Sequence, residues 1–327
     1  MDLFSGETTD KQLASVFKRG LEKKAPYWNF GYPILTQCVC DLESGLFFIV
    51  APENVGKSQF QVNLGYNVLR CNENAYWLDF MLDNNTANRI SYLLACAGDL
   101  PIGLVTCAGD APDQEKDNRK QAFNQFRSKY KGRYHLISED RDADYNVNIF
   151  DVSVIAMLIG EARQTIGEDT KLFVTIDGFH DVIASAAGSE ETIQQKAKSQ
   201  VLKKASTKFN ALICCTAQTR KDSRKRNMCA DIMKGEDTPA FDAMVIAHLY
   251  SDVNHNREMA DVWWEDATLP GQKLSVHELD ILKNKGGPEK KVIFFNHLPA
   301  RCWDFEVDEP TQDMYRTMLY KKTKKKT

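Results

Sequence analysis

Short apolar segments recur along the first two thirds of the chain, with longer amphipathic segments between them. Short apolar runs rich in β-branched and aromatic residues predict strands, and five of them are Leu46–Val50, Ala75–Phe80, Arg133–Ile137, Leu172–Ile176 and Leu212–Thr216. The amphipathic segments are long enough for crossover helices, and they include Ser58–Leu69, Asn85–Ala97 and Glu191–Lys208. This alternation predicts an α/β fold whose mostly parallel central sheet carries helices on both faces.

The pattern changes after residue 240, where strand candidates follow one another with few helices between them. These candidates are Ala243–Tyr250, Ala260–Trp264, Leu274–Leu282, Lys291–Phe295 and Cys302–Phe305. We expect them to extend the sheet as a partly antiparallel C-terminal extension.

The two ends of the chain differ from the region between them. Apolar residues recur at helical spacing within residues 10–24, which predicts an arm that packs either on its own domain or on a neighbouring subunit. We therefore divide the chain into an N-terminal arm (1–25), a core (26–310) and a basic tail (311–327). The tail ends in KKTKKKT, which would add non-specific attraction to nucleic acid.

Composition places the chain among globular proteins. It has 327 residues, 43% of them hydrophobic and 27% charged, which excludes a collagen-like or largely disordered chain. The net charge of −3 argues against a protein covered in positive charge, although it permits a local basic patch. The longest uncharged apolar run, Gly45 to Pro52, is far below the roughly 18 residues of a membrane helix. The N-terminus lacks the features of a secretion signal, so we expect a soluble intracellular protein.

The nine cysteines fit this compartment. Their number is odd, most have apolar neighbours, and no CxxC pair occurs, so reduced thiols in a core are expected. The alternative, a metal-binding pair at Cys38 and Cys40, lacks matching partners elsewhere in the sequence.

The first predicted strand leads into a loop that ends in Gly56-Lys57-Ser58 and then into an amphipathic helix. In this context the GxxxxGK[ST] pattern is typical of a phosphate loop, in which backbone N–H groups and the helix N-terminus hold a polyphosphate. Lys57 would reach the β and γ phosphates of ATP, and the Ser58 hydroxyl would bind Mg²⁺. Ala51 replaces the first glycine, which is tolerable where φ is negative. The predicted ATP-binding residues are Glu53, Asn54, Val55, Gly56, Lys57, Ser58 and Gln59.

Polar residues at the ends of three other strands complete the predicted site. Asp177 would bind Mg²⁺, directly or through water. Asp79 and Asp83 are both candidates for the carboxylate that orients the attacking water; we prefer Asp83, and Asp79 stays the alternative. Gln218 ends the strand from Ala211 and can sense nucleotide state, because an amide both donates and accepts hydrogen bonds.

Together these segments resemble the RecA-type ATPase core of the DnaB-like hexameric replicative helicases, from about Trp28 to Phe305. LESGLFFIVAPENVGKSQF is similar to the family's first strand and phosphate loop, and FVTIDGFHDV to its metal-binding strand. FMLDNNTANRI resembles the F-S-L-E/D segment with its following arginine, here Arg89, which favours Asp83 as the catalytic carboxylate. CCTAQTRK is similar to the strand with the S-Q-x-x-R sensor, which carries Gln218 over. The resemblance implies a P-loop ATPase that uses ATP and Mg²⁺, and a cytoplasmic location in a bacterial or phage-infected cell.

LDILKNKGGPEKKVIFF is similar to the family's K-x-R-x-G-P-x-G-x-V-x-L-x-F motif. In the family this motif reaches the ATP site of the neighbouring subunit, which implies catalytic roles for Lys283 and Lys285 in a homo-oligomer, here a hexamer. A lysine at the arginine position departs from the pattern, because it lacks the planar fork of a guanidinium.

Two further departures concern other parts of the chain. The family's N-terminal helical domain has no counterpart in the 25 or so residues before the core. Either the arm at residues 10–24 is an intersubunit helix of a minimal, phage-like helicase, or a separate loader acts; a primase is another implied partner. The segment between Tyr250 and Val276, with Trp263 and Trp264, matches no part of the family pattern.

A basic cluster follows the Gln218 strand. By resemblance, the loop at this place lines the central channel of a ring and grips single-stranded DNA by its phosphates. Its predicted DNA-binding residues are Arg220, Lys221, Arg224, Lys225 and Arg226. No aromatic residue lies among these charges, so we expect backbone tracking with low sequence specificity.

The sequence therefore predicts an ATP-dependent replicative helicase that moves on single-stranded DNA as a ring oligomer. The main alternative is a RecA-like or KaiC-like ATPase that acts as a nucleotide-gated scaffold on DNA or protein without unwinding. A small-molecule kinase is a third hypothesis, but it leaves the segment from Lys283 to Pro288 and the basic loop unexplained.

Overall fold

The computed structural model describes residues 13–14, 27–83, 86–138, 147–219, 238–287 and 291–323. Their strands are β1 (Gly45–Ala51), β2 (Ala75–Met81), β3 (Tyr134–Ser138), β4 (Lys171–Asp177), β5 (Ala211–Gln218), β6 (Val245–Tyr250), β7 (Trp263–Trp264), β8 (Leu274–Asn284), β9 (Lys291–Leu298) and β10 (Trp303–Glu306). All belong to one sheet in the order β10-β9-β8-β6-β1-β5-β4-β2-β3, with β7 paired to β8. The predicted α/β architecture is confirmed.

The described helices cover both faces of this sheet. They are α1 (Pro33–Cys38), α2 (Lys57–Cys71), α3 (Thr86–Gly98), α4 (Ile102–Thr106), α5 (Asp113–Tyr130), α6 (Val152–Ile166), α7 (Glu191–Lys208), α8 (Thr238–Asp242), α9 (Asp252–Asn256) and α10 (Glu309–Thr323). Alternate residues of β1 show the layering: Phe47 and Ile49 enter the core on the α2 side, whereas Phe48 and Val50 enter the core on the opposite side. A strand buried on both faces reads as a continuous apolar run, as β1 does.

The two halves of the sheet differ in direction. Strands β1 to β6 pair parallel, whereas β8, β9 and β10 pair antiparallel with their neighbours. The predicted antiparallel extension is thus confirmed. Parallel pairing brings the carboxyl ends of the central strands to one edge, where Ala51 pairs with Gln218 and Met81 pairs with Asp177.

Helices α5 and α10 were missed from the sequence for different reasons. In α5 only Tyr130 is buried, so the helix offers almost no apolar face to detect. Helix α10 begins at Glu309, and its Tyr315 is buried and donates a hydrogen bond from its hydroxyl to Asn296 Oδ1 (2.8 Å). The tail expected from residue 311 therefore starts inside a helix that packs on the sheet, at least up to Leu319.

Three smaller findings concern the cysteines, the arm and the helices. None of the eight cysteines within the described residues forms a disulfide, and neither Cys38 nor Cys40 belongs to a cluster of metal-ligating side chains there. Of the arm, only residues 13 and 14 are described, and they are helical. In the described part of the chain, no helix combines the length and the apolar character needed to cross a membrane.

Candidate nucleotide-binding site

The loop between β1 and α2 has the backbone of an anion-binding turn. Asn54 has a φ of 63° and Gly56, which precedes the first turn of α2, has a φ of 101°. Ala51 is buried at the end of β1 and is not among the described residues with positive φ, so alanine fits where the sequence pattern has glycine. Left-handed geometry turns successive N–H groups toward one point, next to the positive end of the α2 dipole.

A cavity of about 450 Å³ opens directly above this loop. It is lined by Glu53, Asn54, Gly56, Lys57, Ser58, Gln59, Asp83, Tyr92 and Gln218. Six of the seven predicted ATP-binding residues are in this group; Val55 is not, because its side chain is buried. Tyr92 was missed, since nothing in the sequence of α3 shows which of its residues faces the loop.

Lys57 lies against its own loop. Its Nζ donates hydrogen bonds to the carbonyl oxygens of Pro52 (3.0 Å) and Ala51 (3.4 Å). Burial lowers the pKa of Lys57, and the carboxylates of Asp177, Asp83 and Glu53 oppose this effect. An anion in the cavity would add a further favourable partner for the ammonium group.

Asp177 lies just below the cavity at the end of β4 and is 2% exposed. Its Oδ1 accepts a hydrogen bond from Thr216 Oγ1 (2.7 Å), and its Oδ2 accepts one from Arg89 Nη1 (3.3 Å). The carboxylate is therefore held in one orientation from two sides.

Asp79 and Asp83 have different surroundings. Asp79 is fully buried in β2 and forms a two-pronged ion pair with Arg89, with Nη2 to Oδ1 at 2.6 Å and Nε to Oδ2 at 2.9 Å. Thr175 and Tyr134 donate further hydrogen bonds to it. Asp83 instead lines the cavity, and burial and the nearby Asp177 raise its pKa, against the opposing effect of Lys57. This placement favours Asp83 over the alternative Asp79 as the carboxylate that faces a nucleotide.

Asp79→Asn is expected to lower the free energy of unfolding by about 3 kcal/mol, because it removes the nearer of the two carboxylates that balance the charge of the buried Arg89 guanidinium. Burial lowers the pKa of Arg89, but Asp79, Asp177 and Tyr134 together raise it above its usual value, so the guanidinium stays charged. Urea unfolding followed by circular dichroism measures the change, and Asp83→Asn, at an exposed position, serves as control. Equal stabilities of the two variants would contradict the role assigned to Asp79.

The remaining predicted residues lie in two places. Gln218 lines the cavity, as expected for a sensor at the end of β5. The basic residues Arg220, Lys221, Arg224, Lys225 and Arg226 lie outside the described residues.

Lys283 and Lys285 lie at the opposite edge of the sheet from the phosphate loop. Because β8 runs antiparallel to β6, Lys283 pairs with Ile246 near the start of β6, and the Lys285 N–H donates to the Met244 carbonyl (3.0 Å). Both ammonium groups donate hydrogen bonds to the carbonyl of Phe241, at 3.2 Å each. Neither lysine can reach the phosphate loop of its own chain.

Comparisons with known proteins find similar structures but no similar sequence. No protein family matches the chain, and no curated protein matches it in sequence. Among solved structures, an isolated ATPase domain superimposes with a TM-score of 0.76 at 15% identity, covering 91% of this chain and 98% of that one. The chain has the RecA-type fold of this ATPase domain. A DnaB-like replicative helicase, solved in a study of its interactions with primase, gives a TM-score of 0.73 at 15% identity over 91% of this chain and 67% of that one.

The RecA-type site fits a nucleotide and a magnesium ion by two observations. Gly56 has a φ of 101°, which side chains rarely adopt, and a Cβ there would stand 3.3 Å from the His277 ring, so glycine is strongly favoured beside the cavity. The Ser58 hydroxyl lines the cavity and the carboxylates of Asp83 and Asp177 act on Lys57, which supplies the oxygen ligands that Mg²⁺ prefers.

Proposed function

We propose that this protein is an ATP-dependent replicative DNA helicase that moves along single-stranded DNA as a ring oligomer. The observation that carries the proposal is the cavity in which the phosphate loop, Asp83 and Gln218 meet, within a fold shared with the compared ATPase domain and with a DnaB-like replicative helicase. Primase is the first protein partner to test, because the compared helicase was studied for its interactions with primase.

Five side chains in or next to the cavity have a defined task in the proposed reaction. Lys57 and the loop N–H groups would hold the phosphates, and Ser58 and Asp177 would hold Mg²⁺, which would neutralise charge on the transferred phosphoryl group. Each Asp177 oxygen accepts one hydrogen bond and keeps a second lone pair, so Asp177 would bind the ion directly or through water. Asp83 orients the attacking water and accepts its proton, and Gln218 links the γ-phosphate to the chain that follows β5.

The residues that one subunit would contribute to the site of its neighbour lie at the opposite edge of the sheet. Lys283 and Lys285 of one subunit complete the site of the next, where their charges stabilise the transition state. Phe241, whose carbonyl accepts hydrogen bonds from both lysines, is 75% exposed, and an exposed aromatic beside these lysines supports a subunit contact here.

DNA would be gripped by the basic residues after Gln218. The chain leaves the cavity at the end of β5 and is next described at α8, on the edge where Lys283 and Lys285 lie. The segment between β5 and α8 therefore begins at the nucleotide site of one subunit and ends next to Lys283 and Lys285, which would act in the site of the neighbouring subunit. Hydrolysis would move this segment and the strand that it holds.

Strand displacement on a forked duplex tests the proposal. The protein is expected to release a labelled strand with ATP and Mg²⁺, and its ATPase activity should rise with protein concentration and with added single-stranded DNA. Lysine in place of the arginine of related motifs favours the scaffold as second candidate. A scaffold would bind DNA with ATP and release no strand.

Lys285→Ala is expected to lower turnover by about 100-fold and to leave nucleotide affinity unchanged, because the lysine acts on the transition state of a neighbouring site. Steady-state ATPase assays and a binding titration separate the two effects. Lys273→Ala, at a half-exposed lysine just before β8 that contacts Trp263, is the matched control.

Mixing two inactive variants tests whether the site is shared. A chain with Lys57→Ala and a chain with Lys285→Ala together form some interfaces in which Lys57 and Lys285 are both intact. The mixture should therefore regain part of the wild-type turnover. A mixture as inactive as its components would argue against a site shared between subunits.

A further inference from the structure

Three buried polar side chains lie next to the phosphate loop and take no part in the mechanism above. They are His277 on β8, His297 on β9 and Asp304 on β10. Asp304 Oδ1 lies 2.7 Å from His277 Nδ1 and 3.1 Å from His297 Nδ1, and the two imidazole rings stack with their centres 4.4 Å apart. One carboxylate oxygen thus fixes two rings.

The proton positions in this cluster follow from its charge. Burial alone would raise the pKa of Asp304, but His277 and His297 beside it lower the pKa well below its usual range. An ionised carboxylate only accepts hydrogen bonds, so both Nδ1 atoms carry protons and donate to it. The remaining edge of the His277 ring, with Cε1 and Nε2, is left to face another part of the molecule.

That edge faces the phosphate loop. A Cβ built on Gly56 would lie 3.3 Å from His277 Cε1 and 3.7 Å from Nε2. Burial lowers the pKa of His277, so the ring is neutral with its proton on Nδ1. Nε2 lies next to the Val55 carbonyl and forms no hydrogen bond among the described residues, so the ring meets the loop by packing. The same carbonyl accepts a hydrogen bond from Asn254 Nδ2 (3.2 Å). His277 and Asn254 therefore meet the loop at one peptide unit.

The contacts of His277 and Asn254 with the loop are supported by the segment between Tyr250 and Val276, which resembles no part of the helicase pattern. Ser275 Oγ donates to Asn254 Oδ1 (2.7 Å). The Trp264 indole N–H lies within hydrogen-bond distance of the carbonyls of Ser275 (3.1 Å) and His297 (3.2 Å), and so ties β7 to β8 and β9. The strands that carry the two histidines are thereby held in register beneath the loop.

We infer that His277, oriented by Asp304, is a positioning residue that holds the phosphate loop at Val55 and Gly56 from the side turned away from the cavity, together with Asn254. A loop held in its anion-binding shape before nucleotide arrives does not have to be ordered on binding, so the contact increases affinity. This inference rests on the proposed binding of ATP. A metal centre is the weaker interpretation, because structural zinc sites use four ligands and the described residues offer three here.

His277→Asn and His297→Asn form a matched pair for the test. In each variant the asparagine Nδ2 takes the place of Nδ1, so the hydrogen bond to Asp304 is kept and the rest of the ring is lost. At Gly56 the nearest ring is that of His277 and not that of His297. We expect His277→Asn to raise the dissociation constant for a ribose-labelled fluorescent ATP analogue by about tenfold, and His297→Asn by less than about twofold, at similar losses in melting temperature.

Equal effects of the two variants on affinity would overturn the proposal, because they would show a structural role only. One equivalent of zinc in the purified wild-type protein, measured by elemental analysis, would also overturn it. Should His277→Asn not fold, Asn254→Ala tests the same carbonyl, and an unchanged dissociation constant would count against the proposal. If the wild-type protein itself binds no ATP analogue, the proposed function fails, which is a result distinct from all of these.

Discussion

Lys57→Ala is expected to weaken ATP binding by about 100-fold or more. Among the described side chains that line the cavity, the Lys57 ammonium group is the one cation, and charge-assisted hydrogen bonds to phosphate are worth about 1.5–3 kcal/mol each. In the free protein the Lys57 ammonium group donates to two loop carbonyls, and the cost of its burial opposes its attraction to nearby carboxylates, so its removal should change stability little. Titration with a ribose-labelled fluorescent ATP analogue gives the affinity, and thermal unfolding gives the stability.

Lys131→Ala is the control for this experiment, because Lys131 is an exposed lysine just after α5. It should bind the analogue as the wild-type protein does. Wild-type affinity in Lys57→Ala would mean that the cavity above the loop is not the nucleotide site, and the proposed ATPase would have to be abandoned.

Asp83→Asn is expected to lower turnover by about 10²- to 10⁴-fold with ATP binding retained, since an amide cannot accept a proton from the attacking water. Binding can even become tighter, because one negative charge facing the phosphates is removed. Single-turnover hydrolysis of radiolabelled ATP measures the chemical step, and the binding titration is run in parallel.

The pH dependence of ATPase activity is a second test of the proposed role of Asp83 as the base. Burial and Asp177 raise the pKa of Asp83, and only its ionised form acts as a base. Activity should therefore fall as pH drops through this raised pKa, at a higher pH than for an ordinary carboxylic acid, and Asp83→Asn should lack that limb. Asp181→Asn, at a neighbouring carboxylate outside the cavity lining, should keep it. Loss of the limb in Asp181→Asn alone would assign the base elsewhere.

The parts of the site that adjoin one another in sequence could be predicted. A buried strand followed within six residues by Gly56-Lys57-Ser58 is a local pattern, and parallel topology then brings Asp177 and Gln218 to the same edge. The choice between Asp79 and Asp83 could not be made as firmly, because it depends on Arg89. That side chain crosses from α3 to pair with Asp79, and sequence spacing does not reveal where a long side chain points.

The contacts beneath the loop were beyond sequence reasoning for another reason. Asn254, His277 and Asp304 lie on three separate elements, and each alone is an ordinary polar residue that belongs to no motif. Their meeting depends on the register of β8 with β9 and of β9 with β10, in which Asp304 pairs with His297. Register follows from the whole pattern of buried side chains rather than from a motif.

The Arg89 guanidinium has a mechanical consequence. It donates to Asp79, to Asp177 and to the Ser58 carbonyl in the first turn of α2. A single side chain thus connects β2 and the end of β4 to the helix that follows the phosphate loop. These elements form a rigid block, and a shift of one would drag the others with it. Because Asp79 ties β2 to this block, the movement of the proposed motor would have to leave the site through the tip of β5, where Gln218 lines the cavity.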